Sequence, residues 1–179
     1  MAFEQNNVIV VNEQDEELGV MEKMAAHREG VLHRAISVFI LNDNNELLLQ
    51  QRALDKYHSG GLWTNTCCSH PMPAEDTLAA AHRRLMEEMG FDTTLEPIFT
   101  LRYKAEVGND LIENEYDHIF TGRYSGAPVL NPEEAMAGQY VPLNDVARWL
   151  NERPQEFTAW FHLALPMFVT HMQQAAHSS

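Results

Sequence analysis

Short apolar runs separated by turn-forming residues dominate the first part of the chain. Asn7–Val11 (NVIVV) and Ala35–Leu41 (AISVFIL) are rich in β-branched residues and predict strands. The Asn42-Asp43-Asn44-Asn45 tetrad supplies turn chemistry before a second apolar run, Glu46–Gln51, so these segments predict a hairpin. After a loop containing Gly60 and Gly61, Trp63–Cys68 predicts another short strand. A helix is then predicted to start at Pro73–Asp76 and to run to Met89, with Gly90 as a left-handed cap. Further strands are expected at Ile98–Ala105, Tyr116–Tyr124 and Gln139–Val141. Helices follow near Asp145–Leu150 and from about Thr158, the last one bent by Pro166. Mixed strands with helices on both sides predict an α/β or α+β sandwich. The polar ends, about 1–6 and 173–179, are expected to be disordered.

Composition narrows the class. A chain of 179 residues with 45% apolar content can build one sizeable core, so one domain is expected. The opening MAFEQNN has neither the basic start nor the apolar stretch of a secretory signal, and no apolar run is long enough to cross a bilayer. A cytoplasmic protein is expected. The two cysteines, Cys67 and Cys68, are adjacent and are expected as free thiols. The net charge of −14, from 26 acidic and 12 basic residues, repels nucleic acid and anionic membranes. An anionic substrate would therefore require the few cations to be concentrated around it.

From Ser69 to Phe91 the chain reads SHPMPAEDTLAAAHRRLMEEMGF, which resembles the Nudix signature G-x5-E-x7-R-E-U-x-E-E-x-G-U, where U is apolar. Glu75, Arg83, Leu85, Glu87, Glu88, Gly90 and Phe91 fall where the pattern wants them, while Ser69 replaces its first glycine and Arg84 a glutamate. The Nudix hydrolases present several glutamates to divalent cations that activate water. Exchanging one for arginine removes a ligand and adds a cation, which suits holding a diphosphate intact. Arg83/Glu87 and Arg84/Glu88 also have the spacing of ordinary surface ion pairs.

Four segments extend the resemblance beyond this helix: EKMAAHREGVLHRA, QQRALDKYHSGGLWTNTCCSHP, LRYKAEVGNDLIENEYDHIF and FTAW. With them the chain resembles the type I isopentenyl diphosphate isomerase family from about Asn7 to Phe168. That resemblance implies a metal held by His27, His33, His70, Glu113 and Glu115, a donor set suited to Mn²⁺ or Zn²⁺. It implies a second ion, Mg²⁺, arriving with substrate and held by Glu88 and the backbone carbonyl of Cys68. Cys68, Glu115 and Tyr103 match the family's catalytic positions. Lys23, Arg52, Lys56 and Arg84 match its diphosphate-binding positions, and Trp160 its pocket tryptophan.

Strand alternation places Glu113 with Glu115, and Cys68 with His70, on shared faces, leaving Cys67 pointing away. Cys68 can act as a thiolate base only if nearby cations lower its pKa. His58, His82, His118, His162, His171 and His177 match no family ligand and are expected as surface or packing residues. The implied partner is a small isoprenyl diphosphate, without nucleic acid or membrane, and a monomer is expected. The competing readings are a Nudix hydrolase, which would release phosphate or nucleotide, and a non-catalytic metal-binding module.

Overall fold

A computed structural model describes residues 6–177. Nine strands and four α-helices are found among them: β1 (Asn7–Val11), β2 (Glu17–Glu22), α1 (Lys23–Glu29), β3 (His33–Leu41), β4 (Glu46–Arg52), β5 (Trp63–Thr64), β6 (Cys67–Ser69), α2 (Thr77–Met89), β7 (Leu95–Glu106), β8 (Ile112–Arg123), β9 (Ala135–Pro142), α3 (Leu143–Glu152) and α4 (Ala159–His177). The mixed sheet with helices on both faces has the expected α+β architecture.

β3 is the hub. It runs antiparallel to β6 on one side and parallel to β8 on the other, with His33 opposite Glu115 and Ser37 opposite both Cys68 and Ile119. Its two faces carry different loads because side chains alternate along a strand. Ile36, Val38 and Ile40, with Leu48 of β4 and Phe120 of β8, pack against Ala80, Ala81, Leu85 and Met89 of α2. Phe39 and Leu41, with Leu47, Leu49 and Ile119, pack against Phe161, Leu165 and Phe168 of α4. Toward the start of β3 and β8 this second face turns polar: His33, Ser37, Glu113, Glu115 and Asp117 are each at most 7% exposed. A buried polar row on an otherwise apolar face costs stability and marks a site.

β3 and β4 meet only at Leu41 and Leu47, then separate. The segment Trp63–Cys68, expected as one strand, crosses that opening as two: β5 pairs with β4, and β6 with β3. The residues between them replace the missing ladder with side chains. Thr66 Oγ1 accepts the Ile40 N–H at 3.0 Å and donates to the Leu48 carbonyl at 2.6 Å. Asn65 Nδ2 donates to the carbonyls of Val38 and Cys67 at 3.0 and 2.9 Å.

Asp76 caps α2 and accepts the Ala79 N–H at 3.3 Å. Gly90 ends the helix at φ 73°, where a Cβ would lie 2.4 Å from the Val129 carbonyl, so only glycine fits. Three local expectations differ from the structure. β2 and α1 are additional elements, and Gln173–His177, expected as a disordered tail, continue α4. Pro166 lies within that helix. The remaining ends, 1–5 and 178–179, lie outside the described residues.

Candidate active site

The polar row of β3 and β8 is completed from three directions. α1, capped by Glu22, ends at Gly30 with φ 69°, so the chain turns at once into β3 and brings His27 beside His33, ring centroids 5.0 Å apart. β6 delivers Cys68 and then His70, whose ring lies 5.0 Å from that of His33. The first turn of α4 places Trp160 over the same chamber.

Ligand atoms of His27, His33, His70 and Glu115 lie within 4.8 Å of one another, a group that could hold a metal ion. The histidines are set up for it. His27 and His33 pair through Nδ1 with the carbonyls of Lys23 and Val31 at 2.7 and 2.8 Å, which leaves each Nε2 facing the cluster. His27 Nε2 is buried and has no hydrogen-bond partner, as a ligand atom facing a cation would be. Glu115 Oε2 lies 3.3 Å from His33 Nε2 and 2.8 Å from His70 Nε2. Burial pulls His27 down and, with the neighbouring imidazoles of His33 and His27, holds His70 well below the ordinary range. For His33 burial acts the same way, but the bond and charge of Glu115, the Val31 carbonyl and the Glu113 charge together outweigh it and the pKa is raised. Burial acts to raise Glu115, and the His33 bond leaves it lowered. An entering cation would take the place of the proton these two share.

Glu113 stands apart from that group. Its carboxylate belongs to a neighbouring one with His27 and His58, with His58 Nε2 at 2.7 Å, and it accepts the Tyr103 hydroxyl. Burial and the charges of Glu115 and Glu113 keep Tyr103 in its phenol form. His58 is 3% exposed and sits in the centre of the site, contrary to the expectation of an ordinary surface or packing residue. His82, His118 and His162 do have structural partners, Asp92, Asp15 and the Pro154 carbonyl.

Cys68 and Glu115 approach from opposite sides of β3 and line one chamber with Ser37, His58, Glu113 and Trp160. The Cys68 Sγ accepts the Trp160 indole N–H at 3.0 Å and lies 3.0 Å from Asn65 Oδ1. Ser37 Oγ is 3.6 Å away and donates to Asp117 at 2.7 Å. Burial and the Asp117 charge push the Cys68 thiol up. Arg52 and the Ser37 bond lower it by less. Cys67 faces the opposite way, into the core beside α2.

The chamber adjoins a second cleft, sharing Arg52, Tyr57, Cys68 and His70 with it, that contains Lys23, Arg52, Lys56, Arg83 and Arg84. These are five of the chain's 12 basic residues. Arg52 and Arg84 each keep a buried Nε with no hydrogen-bond partner. Such groups suit an anion, because an unpaired buried donor is costly. Arg83 is instead held by Glu75 through two 2.8 Å bonds, fixing the approach to α2. Glu88 lies beneath Arg84, and its oxygens take up Arg84, Gln50 and Cys67 at 3.1, 3.1 and 3.3 Å.

A NUDIX domain model matches residues 31–161. An isopentenyl-diphosphate Delta-isomerase of Pectobacterium atrosepticum is 52% identical over 156 residues, covering 87% of each chain. An isopentenyl-diphosphate Delta-isomerase 2 of Aromatoleum aromaticum is 46% identical, covering 93% of this chain and 88% of its own. The chain belongs to the isopentenyl-diphosphate Delta-isomerase family. A crystal structure of a Deinococcus radiodurans protein shares the fold with a TM-score of 0.69 at 16% identity, covering 82% of this chain and 90% of that one.

Several residues of this isomerase-family site carry no local sequence signal. Glu134 pairs with Lys56 at 2.6 Å and Arg84 at 3.3 Å across the basic cleft, and nothing in its Asn-Pro-Glu-Glu context announces that. Tyr57 packs its ring under the Lys23 ammonium, 4.6 Å away. Asp117 could have been found by its period-two spacing from Glu113 and Glu115.

Proposed function

We propose that this chain interconverts isopentenyl diphosphate and dimethylallyl diphosphate by adding a proton to the alkene and removing one from the far side, through a tertiary carbocation. The observation that carries the reading is the pairing of two pockets: one with Cys68 and Glu115 reaching it from opposite sides of β3, and a basic cleft that shares its Arg52, Cys68 and His70 lining. The five-carbon chain would enter the first, between Cys68 and Glu115, and the diphosphate would lie in the second. Lys23, Arg52, Lys56 and Arg84 hold the diphosphate, which is never cleaved, so its binding energy positions the hydrocarbon.

His27, His33, His70 and Glu115, with Glu113 adjacent, would hold one divalent cation, Mn²⁺ or Zn²⁺. Glu88 and the Cys68 backbone carbonyl would take a Mg²⁺ that arrives with substrate. When bound, the first cation makes the Glu115 carboxyl a stronger acid. Glu115 protonates the terminal alkene carbon, with Tyr103 and Glu113 completing the hydrogen-bonded acid group. Cys68 then takes the proton from the neighbouring methylene. The step balances with Cys68 entering as thiolate and Glu115 as carboxylic acid, one proton leaving Glu115 and one arriving on Cys68; burial opposes that thiolate, and Arg52 with the bound cations would offset it. In the reverse direction the two residues exchange roles. Trp160 offers a π face to the carbocation, worth about 2 kcal/mol or more when desolvated, and helps keep out the water that would trap it.

Arg84 in place of a glutamate weighs against the hydrolase reading. The test is incubation with isopentenyl diphosphate, Mg²⁺ and Mn²⁺ in D₂O, followed by proton NMR together with phosphate release. Deuterated dimethylallyl diphosphate is expected, reduced at least 10³-fold in rate by Cys68→Ala or Glu115→Gln, a span consistent with acid–base catalysis of about 10²–10⁴. Phosphate release without isomerisation would overturn the reading in favour of a hydrolase. Inertness of the metal-loaded protein would leave a binding module.

A further inference from the structure

His58 is the one buried imidazole of the site that the expected ligand set leaves without work. It lies on the loop between Arg52 and Leu62, and that loop is built with unusual care. The Arg52 N–H bonds the Leu62 carbonyl at 2.9 Å and the Gly61 N–H bonds the Arg52 carbonyl at 3.0 Å, closing the loop at its neck. An Arg52 guanidinium N–H donates to the His58 carbonyl at 3.1 Å. Ser59 sits at φ 55°, a left-handed conformation that non-glycine residues adopt uncommonly. At Gly60 a Cβ would lie 2.3 Å from the Leu54 carbonyl.

The His58 side chain is arranged like the histidines across the site. His58 Nδ1 is paired with Ser59 Oγ at 3.0 Å, as His27 and His33 pair through Nδ1 with backbone carbonyls. In all three the Nε2 is the atom left facing the cluster. Ligand atoms of His27, His58 and Glu113 lie within 4.8 Å of one another. Two donors each about 2.0–2.2 Å from one ion sit at most about 4.4 Å apart, so this spacing needs only a small contraction. His27 belongs to both groups and its Nε2 is buried without a partner. The six ligand atoms do not all lie within 4.8 Å of one another, but the two groups meet at His27, so an ion held there borders both.

We infer that His58 is a further ligand of the metal centre, completing a six-donor set with His27, His33, His70, Glu113 and Glu115. The inference deepens the metal reading given above and rests on it. Six donors of this mixture favour an octahedral ion such as Mn²⁺ over the four-coordinate geometry usual for Zn²⁺. Ligation would also fasten the loop that carries Lys56, tying the cleft's diphosphate contacts to occupancy of the metal site.

The test uses the full chain loaded with Co²⁺, with no substrate present, so failure of the isomerase chemistry does not affect it. Proton NMR of the paramagnetic protein resolves exchangeable imidazole N–H signals of metal-bound histidines. Four are expected, falling to three in His58→Phe, which keeps an aromatic ring against Tyr57 and Trp160. Mn²⁺ affinity of the same variant, read by electron paramagnetic resonance, is expected to fall at least 10-fold. Three signals in the unaltered protein would overturn the assignment whatever the variant shows. An unchanged Mn²⁺ affinity in a folded His58→Phe would do the same. Should that variant not fold, the signal count in the unaltered protein decides alone.

Discussion

Thr66 bridges β3 and β4 where their own ladder stops, so replacing it by valine removes two hydrogen bonds while leaving the shape nearly intact. The hydroxyl is fully buried, with the Ile40 N–H at 3.0 Å and the Leu48 carbonyl at 2.6 Å. Each backbone group left unpaired in that environment costs about 1–3 kcal/mol, so Thr66→Val should cost about 4 kcal/mol. Against a total stability of about 5–15 kcal/mol this is large but not fatal. At about 2–4 °C per kcal/mol for a chain of this size, the melting temperature should fall by about 8–16 °C. Thr66→Ser is the control, because it keeps the hydroxyl and loses only a methyl group, for about 1 kcal/mol. Urea unfolding of both variants beside the parent, at matched m-values, measures the difference. Valine and serine variants of equal stability would refute the claim that the side chain substitutes for the missing ladder.

Two further outcomes follow from the electrostatics. Burial acts to raise the Glu75 carboxyl, but Arg83, the Met72 N–H and the Arg84 charge together hold it below its ordinary pKa, so these contacts stabilise the fold above the unfolded carboxylate pKa and are lost as pH falls through the depressed folded value. Denaturant unfolding should therefore find Glu75→Gln about 1 kcal/mol less stable than the parent at pH 7, with the gap closing in acid; a constant gap would remove the ion pair as its cause. Metal loading should raise the melting temperature, since an ion at 100 times its dissociation constant adds about 2.7 kcal/mol. Chelation should reverse the rise and His33→Ala should abolish it; an equal rise in that variant would place the ion elsewhere.

What could be read ahead of the structure was whatever repeats locally. The helix ending at Gly90 and the hairpin around Asn42–Asn45 announce themselves through capping, turn chemistry and apolar spacing. β2 does not, because it is an exposed edge whose side chains mostly face water, and α1, at seven residues, is too short to show a helical period. The break at Asn65 and Thr66 is invisible for a different reason. Its cause is the separation of β3 from β4, a property of distant strands and not of the segment itself. The family resemblance named residues that the fold does gather, His27, His33, His70 and Glu115, with Cys68 and Trp160 close by. It offered nothing for His58 or Glu134, whose partners lie far along the chain, and it could not anticipate that burial would push the Cys68 thiol up.

The division of labour along β8 has a mechanical corollary. Glu113, Glu115, Asp117 and Ile119 occupy alternate positions of one strand, and Ile119 is already part of the apolar core. Acid group and core thus share a single reading frame. Inserting or deleting one residue in the strand would turn the carboxylates outward and the core isoleucine with them, so such a change should destroy folding and chemistry together. Point substitutions within the row face no such penalty of register. The chemistry of this strand is therefore free to vary residue by residue, while its length is not.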